Sequence, residues 1–345
     1  MDFAIPSIDI APLLAGDSAD RDRVDELIIR AAQTAGFFVA SGIPPGLKTD
    51  QASRRELLRI FALPESEQRA LWRRKFSPDS PNVYRGWFPL QYGHLTSKEG
   101  IDMGPDLAYG DSVVRQDDPL CEPTPLPREA SLPGWRLAAK EYYLSMLRIS
   151  QALMRSLARS LGLEERFFDA AFERGISTLR LIRYPLRTDA AQVAERRPDI
   201  WAMHDGQQRP ITGAPHVDSG LLTLLAQDGV PGLQARELGG AWLDVSPMPD
   251  CLAVNFGKVL ERWSLGRIKA TEHRVLGGPE PRMSIPFFYE ARVDAEISPL
   301  PIDPPGAFEP FLYGDHLWEA TTNFVEFAGL KSLRVPRRVN TKASA

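Results

Sequence analysis

Apolar residues recur at helical spacing through the first half of the chain and in short, broken runs through the second. Val24, Leu27, Ile28 and Ala31 form one helical stripe behind Ser18, whose hydroxyl suits an N-cap, and Gly36 ends that helix before a strand over Phe37 to Ala40. Lys48 to Phe61 predicts a second helix, which Pro64 breaks. Trp135 to Leu161 holds the longest helical pattern, free of internal proline, and Glu164 to Glu173 predicts another helix after it. Phe76 to Pro127 is rich in Pro, Gly, Asp and Ser, which predicts long ordered loops with short strands, pinned by Tyr84, Trp87, Phe88 and Tyr92.

From Ser177 onward the texture changes. Thr178 to Tyr184, Leu221 to Ala226, Trp242 to Val245, Leu252 to Phe256 and Met283 to Tyr289 are short apolar runs separated by Gly, Pro and Asp. Many short strands with turn signals predict a sandwich or barrel. A last amphipathic helix is expected over Asp315 to Ala328, packed across the core. These elements define an α+β chain with a predominantly β core. We expect a single catalytic domain over residues 1–345, with a mostly helical region at 1–175, the β core at 176–295 and a C-terminal helix and tail at 296–345.

Composition narrows the class. The chain has 345 residues, 43% of them hydrophobic, enough for a large buried core, and a formal net charge of only -4, which gives nucleic acid or a membrane surface no reason to bind. Cys121 and Cys251 are too few for a disulfide framework and read as small hydrophobes in a reducing compartment. No apolar run is long enough to span a bilayer, and no basic segment leads into an apolar one at the N-terminus, so a cytoplasmic enzyme with a small-molecule substrate is the expectation.

The candidate chemistry lies in His216-Val217-Asp218 and the later His273. Residues two apart on a strand share a face, so His216 and Asp218 can meet one metal ion while Val217 packs behind, and His273 then comes from another strand. Two imidazoles and one carboxylate form the facial set that holds non-haem Fe(II) and leaves coordination positions open. The dyad alone is weak, because short motifs arise by chance. Its context is stronger: Ile5-Pro6-Ser7-Ile8-Asp9-Ile10, Gly36-Phe37-Phe38, Leu181-Ile182-Arg183-Tyr184-Pro185, the apolar run after His216-Val217-Asp218, Val254-Asn255-Phe256-Gly257 and Arg282-Met283-Ser284 after His273. With these segments the chain resembles the isopenicillin N synthase-like branch of the Fe(II)- and 2-oxoglutarate-dependent oxygenases, over most of its length.

The resemblance implies a double-stranded β-helix, or jelly roll, with flanking helices. It also implies Fe(II) held by His216, Asp218 and His273, 2-oxoglutarate as cosubstrate, and O2 as oxidant, with succinate and CO2 released as the substrate is hydroxylated, desaturated or cyclised. Arg282 and Ser284, two apart on a strand, supply a planar fork and a hydroxyl for the far carboxylate of 2-oxoglutarate, with Tyr184 as a third donor. Arg85, Trp87, Trp201, His204 and Phe288 are candidate substrate residues. His94 and His316 read as ordinary exposed or hydrogen-bonded histidines. The segment Asp189 to Gly213 is longer than the family pattern and is expected to form a lid or wall over the substrate. Three alternatives stay open. The first is oxidation and ring closure without 2-oxoglutarate, as in isopenicillin N synthase, where the same donors hold a substrate carboxylate. The others are fragmentation of 2-oxoglutarate to ethylene, and a metal-free binding protein with this fold. The tail Val339 to Ala345 does not resemble the synthase's terminal segment, and the unbroken ligand set and anchor argue for catalysis.

Overall fold

The computed structural model describes residues 5–16, 18–237 and 240–337, so the tail Val339 to Ala345 lies outside the described residues. In chain order the principal strands are β1 (Ser7–Asp9), β2 (Phe37–Ser41), β3 (Gly86–Phe88), β4 (Glu99–Met103), β5 (Thr178–Tyr184), β6 (Trp201–His204), β7 (Gln207–His216), β8 (Leu222–Gln227), β9 (Leu233–Arg236), β10 (Trp242–Asp244), β11 (Leu252–Phe256), β12 (His273–Leu276) and β13 (Arg282–Tyr289). The major sheet has the order β1-β2-β11-β8-β13-β5-β4-β3 and the minor sheet β10-β9-β12-β7-β6. Only β1 and β2 pair in parallel; the other pairings in these two sheets are antiparallel. Four short strands of the major sheet come from the N-terminal region, among its helices.

The alternation of strand residues decides what each face meets. On the inner face, Phe37, Val39, Ile182, Tyr184 and Ala253 of the major sheet pack against Leu233, Ala235 and Val275 of the minor one. The helix Trp135–Ser160 covers the outer face, where Tyr143 meets Phe287 edge-on at 5.1 Å between ring centroids. Ser18 caps the helix Ala19–Thr34 by accepting from Arg21 N, as its sequence predicts. Gly36 then turns the chain at φ 62°, where an added Cβ would lie 2.5 Å from Lys269 O. That close approach lets Thr271 Oγ1 donate to Ala35 O at 2.7 Å, which fixes the segment leading to His273.

Three elements differ from expectation. The second helix starts at Gln51, because Asp50 caps it by accepting from Ser53 N, and its last turn tightens to a 3-10 helix over Arg59–Ala62. Glu164 to Glu173 is mostly turns, with one helical turn at Asp169–Phe172; Glu164 accepts from Arg166 N, and Phe168 is drawn inward against Trp263 at 4.9 Å. The C-terminal helix is Tyr313–Thr321, since Thr322 Oγ1 and Asn323 Nδ2 take the carbonyls of Trp318 and Glu319 and end it early.

Arg85 and Trp87 are corrections to the substrate list. Trp87 is fully buried in the main core, edge-on to Phe61 at 5.3 Å, and Arg85 is fully buried, donating to Thr178 Oγ1 at 2.6 Å and Ile176 O at 2.8 Å. Neither lines the cavity at His216, Asp218 and His273. Trp87→Ala is accordingly expected to cost about 3–5 kcal/mol of stability, read by urea unfolding, with no selective effect on substrate choice.

Candidate metal centre

His216 ends β7 and His273 begins β12, and the register sets the two directly opposite each other. Asp218 lies past the end of β7, in the turn toward β8, and not on the strand that the His-x-Asp spacing suggested. One atom from each side chain lies within 4.8 Å of the others, and Asp218 Oδ1 is 3.7 Å from Nε2 of both histidines. Lys258 N donates to Asp218 O, and Gly257 has no room for a side chain, because a Cβ there would stand 2.3 Å from Gly220 O.

The remaining atoms of the three side chains are spoken for. His216 Nδ1 donates to Ala214 O at 2.7 Å and His273 Nδ1 to Thr271 O at 3.2 Å, since a carbonyl can only accept. Both Nε2 lone pairs are thereby left for a metal. Asp218 Oδ2 accepts from Thr223 Oγ1 at 2.7 Å and Asn255 Nδ2 at 2.8 Å, which turns Oδ1 toward the histidines. Burial, aided by repulsion from His273, pushes His216 down to about 4, so its ring is neutral at physiological pH. Burial disfavours the Asp218 carboxylate, yet His273, His216 and the two hydrogen bonds outweigh it and hold its pKa below the usual value. Two imidazoles and a carboxylate, with Nε2, Nε2 and Oδ1 converging, suit a divalent iron. Asn255→Ala is expected to weaken Fe(II) binding by about 10–100-fold, measured by anaerobic equilibrium dialysis, because Oδ2 loses one of the donors that orient it.

A cavity of about 650 Å³ opens on these ligands. Phe37, Leu225, Phe288, Phe324 and Val325 supply apolar wall, and Lys98, Arg180 and Glu326 a charged one. Phe288 is thus at the cavity, as expected. Trp201 and His204 are not: Trp201 packs against the small cluster of Ala190, Val193 and Ile200, and His204 Nε2 lies 2.9 Å from Asp244. The segment Asp189 to Gly213 holds a short helix, Ala190–Ala194, a 3-10 turn, Pro198–Ile200, and then the β6–β7 hairpin, on which Met203 faces solvent; it reaches the cavity through Arg197, Asp199 and Gly213.

Arg282 and Ser284 sit on β13 opposite Tyr184 and Ile182 of β5. The Arg282 guanidinium lies 5.2 Å from the Tyr184 ring centroid and donates through Nη2 to Gln227 Oε1 at 3.0 Å. Its Nε and Nη1, and Ser284 Oγ, are buried without a partner among the described residues. Burial pushes the Arg282 pKa down, against the opposing pull of Tyr184 and Asp228. Arg282 and Tyr184 line a smaller adjoining cavity of about 110 Å³, and Tyr184 borders both. An unpaired buried cation beside an unpaired hydroxyl is costly alone and is satisfied by a ligand carboxylate.

Lys98, Arg180, Asn255 and Glu326 escaped the sequence reading. Arg180 had a signal, because it shares the strand face of Ile182 and Tyr184; Asn255 had one too, as a polar residue inside the buried run of β11. Lys98 and Glu326 are joined only by the fold, at 3.0 Å.

Residues 183–291 match the 2OG-Fe(II) oxygenase superfamily, and residues 5–129 match the family described as non-haem dioxygenase in morphine synthesis N-terminal. Isopenicillin N synthase of Streptomyces clavuligerus is 31% identical over 322 residues, covering 91% of this chain and 93% of that one. A 2-oxoglutarate-Fe(II) type oxidoreductase of Aspergillus fumigatus is 31% identical, covering 84% of this chain and 82% of its own length. A full-length Neurospora crassa protein, solved in complex with alpha-KG and 5-formyluracil, superposes with a TM-score of 0.74 at 26% identity, covering 94% of this chain and all of that one. A double-stranded β-helix carrying a His-x-Asp…His set defines a non-haem iron oxygenase. This chain belongs to the 2OG-Fe(II) oxygenase superfamily, for which Fe(II), 2-oxoglutarate and small-molecule substrates are typical.

Proposed function

We propose that this chain is a 2-oxoglutarate-dependent oxygenase that hydroxylates, desaturates or cyclises a small molecule, releasing succinate and CO2. The observation that carries the proposal is the buried pair of unpartnered donors, Arg282 and Ser284, beside Tyr184 and the metal-ligand cavity. His216 Nε2, Asp218 Oδ1 and His273 Nε2 would hold Fe(II). Bound Fe(II) would activate O2, and 2-oxoglutarate would supply two of the electrons that reduce it. The chain's own work is placement. Thr223 and Asn255 orient Asp218, backbone carbonyls set both imidazole tautomers, and Arg282 with Ser284 receives the far carboxylate of the cosubstrate. Phe288 and Phe324 keep water from the reacting face.

The test is anaerobic reconstitution with Fe(II), then exposure to O2 with and without 2-oxoglutarate, reading O2 uptake and succinate. Succinate formed only when both are present supports the proposal. A second reading, oxidation without 2-oxoglutarate, is favoured by the 31% identity to isopenicillin N synthase. It predicts substrate-dependent O2 uptake with no succinate. Ethylene in the headspace would mark fragmentation of 2-oxoglutarate, and protein that takes up neither Fe(II) nor 2-oxoglutarate would be a binding protein with this fold.

A further inference from the structure

The charged wall of the cavity is not neutral. Arg180 binds Asp102 through Nε at 2.5 Å and Nη2 at 2.9 Å, and Arg73 binds the same carboxylate at 2.6 Å. Lys98 pairs with Glu326 at 3.0 Å. Arg73, Arg180 and Lys98 thus share two carboxylates, Asp102 and Glu326, and all five side chains are largely withdrawn from solvent. Of the other carboxylates at the cavity, Asp218 is turned toward His216 and His273, and Asp199 pairs with Arg197. Lys75 donates to Val325 O beside Glu326, Arg85 is buried behind Thr178, and burial pushes Glu290 up to about 8, so that it is mainly protonated at neutral pH. Glu326, by contrast, is held at about 2: burial opposes ionisation, but Lys98 and Arg180 prevail, and its charge is already counted. At least one cationic charge of this wall has no carboxylate counterpart among the described residues. Such an excess in a poorly hydrated wall is costly unless an anion meets it.

The free hydrogen-bonding capacity points the same way. Arg180 Nη1 has no protein partner among the described residues, and the Lys98 ammonium, in ion-pair contact with Glu326, carries three N–H donors. Both residues line the cavity. Phe88 and Phe288 flank the Arg180 guanidinium, each ring centroid 5.3 Å from it, so the donor is preorganised. Arg180 and Tyr184 share one face of β5, four positions apart and so roughly 13 Å along the strand, which separates this wall from the anchor at Arg282. A five-carbon dicarboxylate held at Arg282 and reaching the metal ligands does not also satisfy Arg180.

We propose that the primary substrate carries a carboxylate that docks on Arg180 and Lys98, with an apolar body lying along Phe288, Phe324 and Leu225 toward the metal ligands. Arg180 and Lys98 are therefore specificity-determining residues, and amines are excluded by like charge. This rests on the oxygenase reading above.

The test uses aliphatic and aryl-substituted monocarboxylic acids of graded length, each beside its primary amide and the matching amine. Binding to protein loaded anaerobically with Fe(II) and 2-oxoglutarate is read by thermal shift and saturation-transfer NMR, and coupling by succinate release. The best acids should bind about tenfold or more tighter than their amides, a preference that Arg180→Gln and Lys98→Gln each reduce to about twofold. Glu326→Gln removes negative charge from the same wall and should strengthen acid binding several-fold, a sign that a merely structural role would not produce. If Arg180→Gln fails to fold, Lys98→Gln and Glu326→Gln carry the test. Amides or amines binding as well as acids, no acid binding above its amide, or an acid preference unchanged in Lys98→Gln would each overturn the proposal. Wild-type protein that does not bind 2-oxoglutarate in equilibrium dialysis would indict the oxygenase reading instead, and acid preference remains measurable on that protein by thermal shift.

Discussion

His216→Ala, Asp218→Ala and His273→Ala are each expected to abolish turnover and to weaken Fe(II) binding, because any one loss leaves two protein ligands on a labile ion. The three should differ in stability. His216 lines the cavity wall, and its removal strands only Ala214 O. Asp218→Ala leaves Thr223 Oγ1 and Asn255 Nδ2 buried without their shared acceptor, an added cost of about 1–3 kcal/mol for each group left unsatisfied. Circular dichroism should show all three folded, with Asp218→Ala the least stable to urea. Near-normal turnover by any variant under limiting iron would remove that residue from the metal set.

The metal set was legible in the sequence, but its register was not. His216 and His273 stand opposite each other because β7 and β12 pair antiparallel, yet no apolar alternation announces either strand, and the metal set is read from residue type, spacing and the resemblance. β5 and β11 match their sequence bounds residue for residue, since their ends are set locally by Pro185 after Tyr184 and by Gly257 after Phe256. Local signals fail where side chains compete for backbone groups. Thr322 and Asn323 continue an acceptable helical pattern, yet their hydrogen bonds to Trp318 O and Glu319 O stop the helix. The consequence is functional, for the chain released there carries Phe324, Val325 and Glu326 into the cavity wall.

The substrate candidates show the same limit from another side. An aromatic or basic residue in a loop-rich stretch can face a cavity or complete a core, and composition does not distinguish the two. Trp87 completes the core against Phe61, and Trp201 closes a satellite cluster under the β6–β7 hairpin. Phe288 and Arg180 reach the cavity because each lies an even number of positions from an inward-facing neighbour, Pro286 on β13 and Ile182 on β5. Strand parity was available in the sequence for these two, whereas the pairing of Lys98 with Glu326 spans the fold and leaves no local trace.

Arg282→Ala is expected to raise the 2-oxoglutarate concentration for half-maximal activity far more than Arg282→Lys. Loss of the charged partner of a buried carboxylate costs roughly 2–5 kcal/mol, or roughly 30- to 5,000-fold in affinity. Lysine keeps the charge but presents a single ammonium where the guanidinium presents a fork, so it should fall between. Stability gives an independent readout. In the free protein Arg282 Nε and Nη1 are buried and unpartnered, and only Nη2 is used, on Gln227. Alanine therefore removes an unpaired buried cation at the cost of one hydrogen bond, and unfolding without 2-oxoglutarate should shift little, whereas a residue serving mainly the fold would destabilise it. The stabilisation that 2-oxoglutarate confers on the wild type with Fe(II) should vanish in the alanine variant, because a ligand stabilises only through its affinity for the folded state. An alanine variant whose 2-oxoglutarate dependence and ligand-induced stabilisation match the wild type would move the anchor away from Arg282.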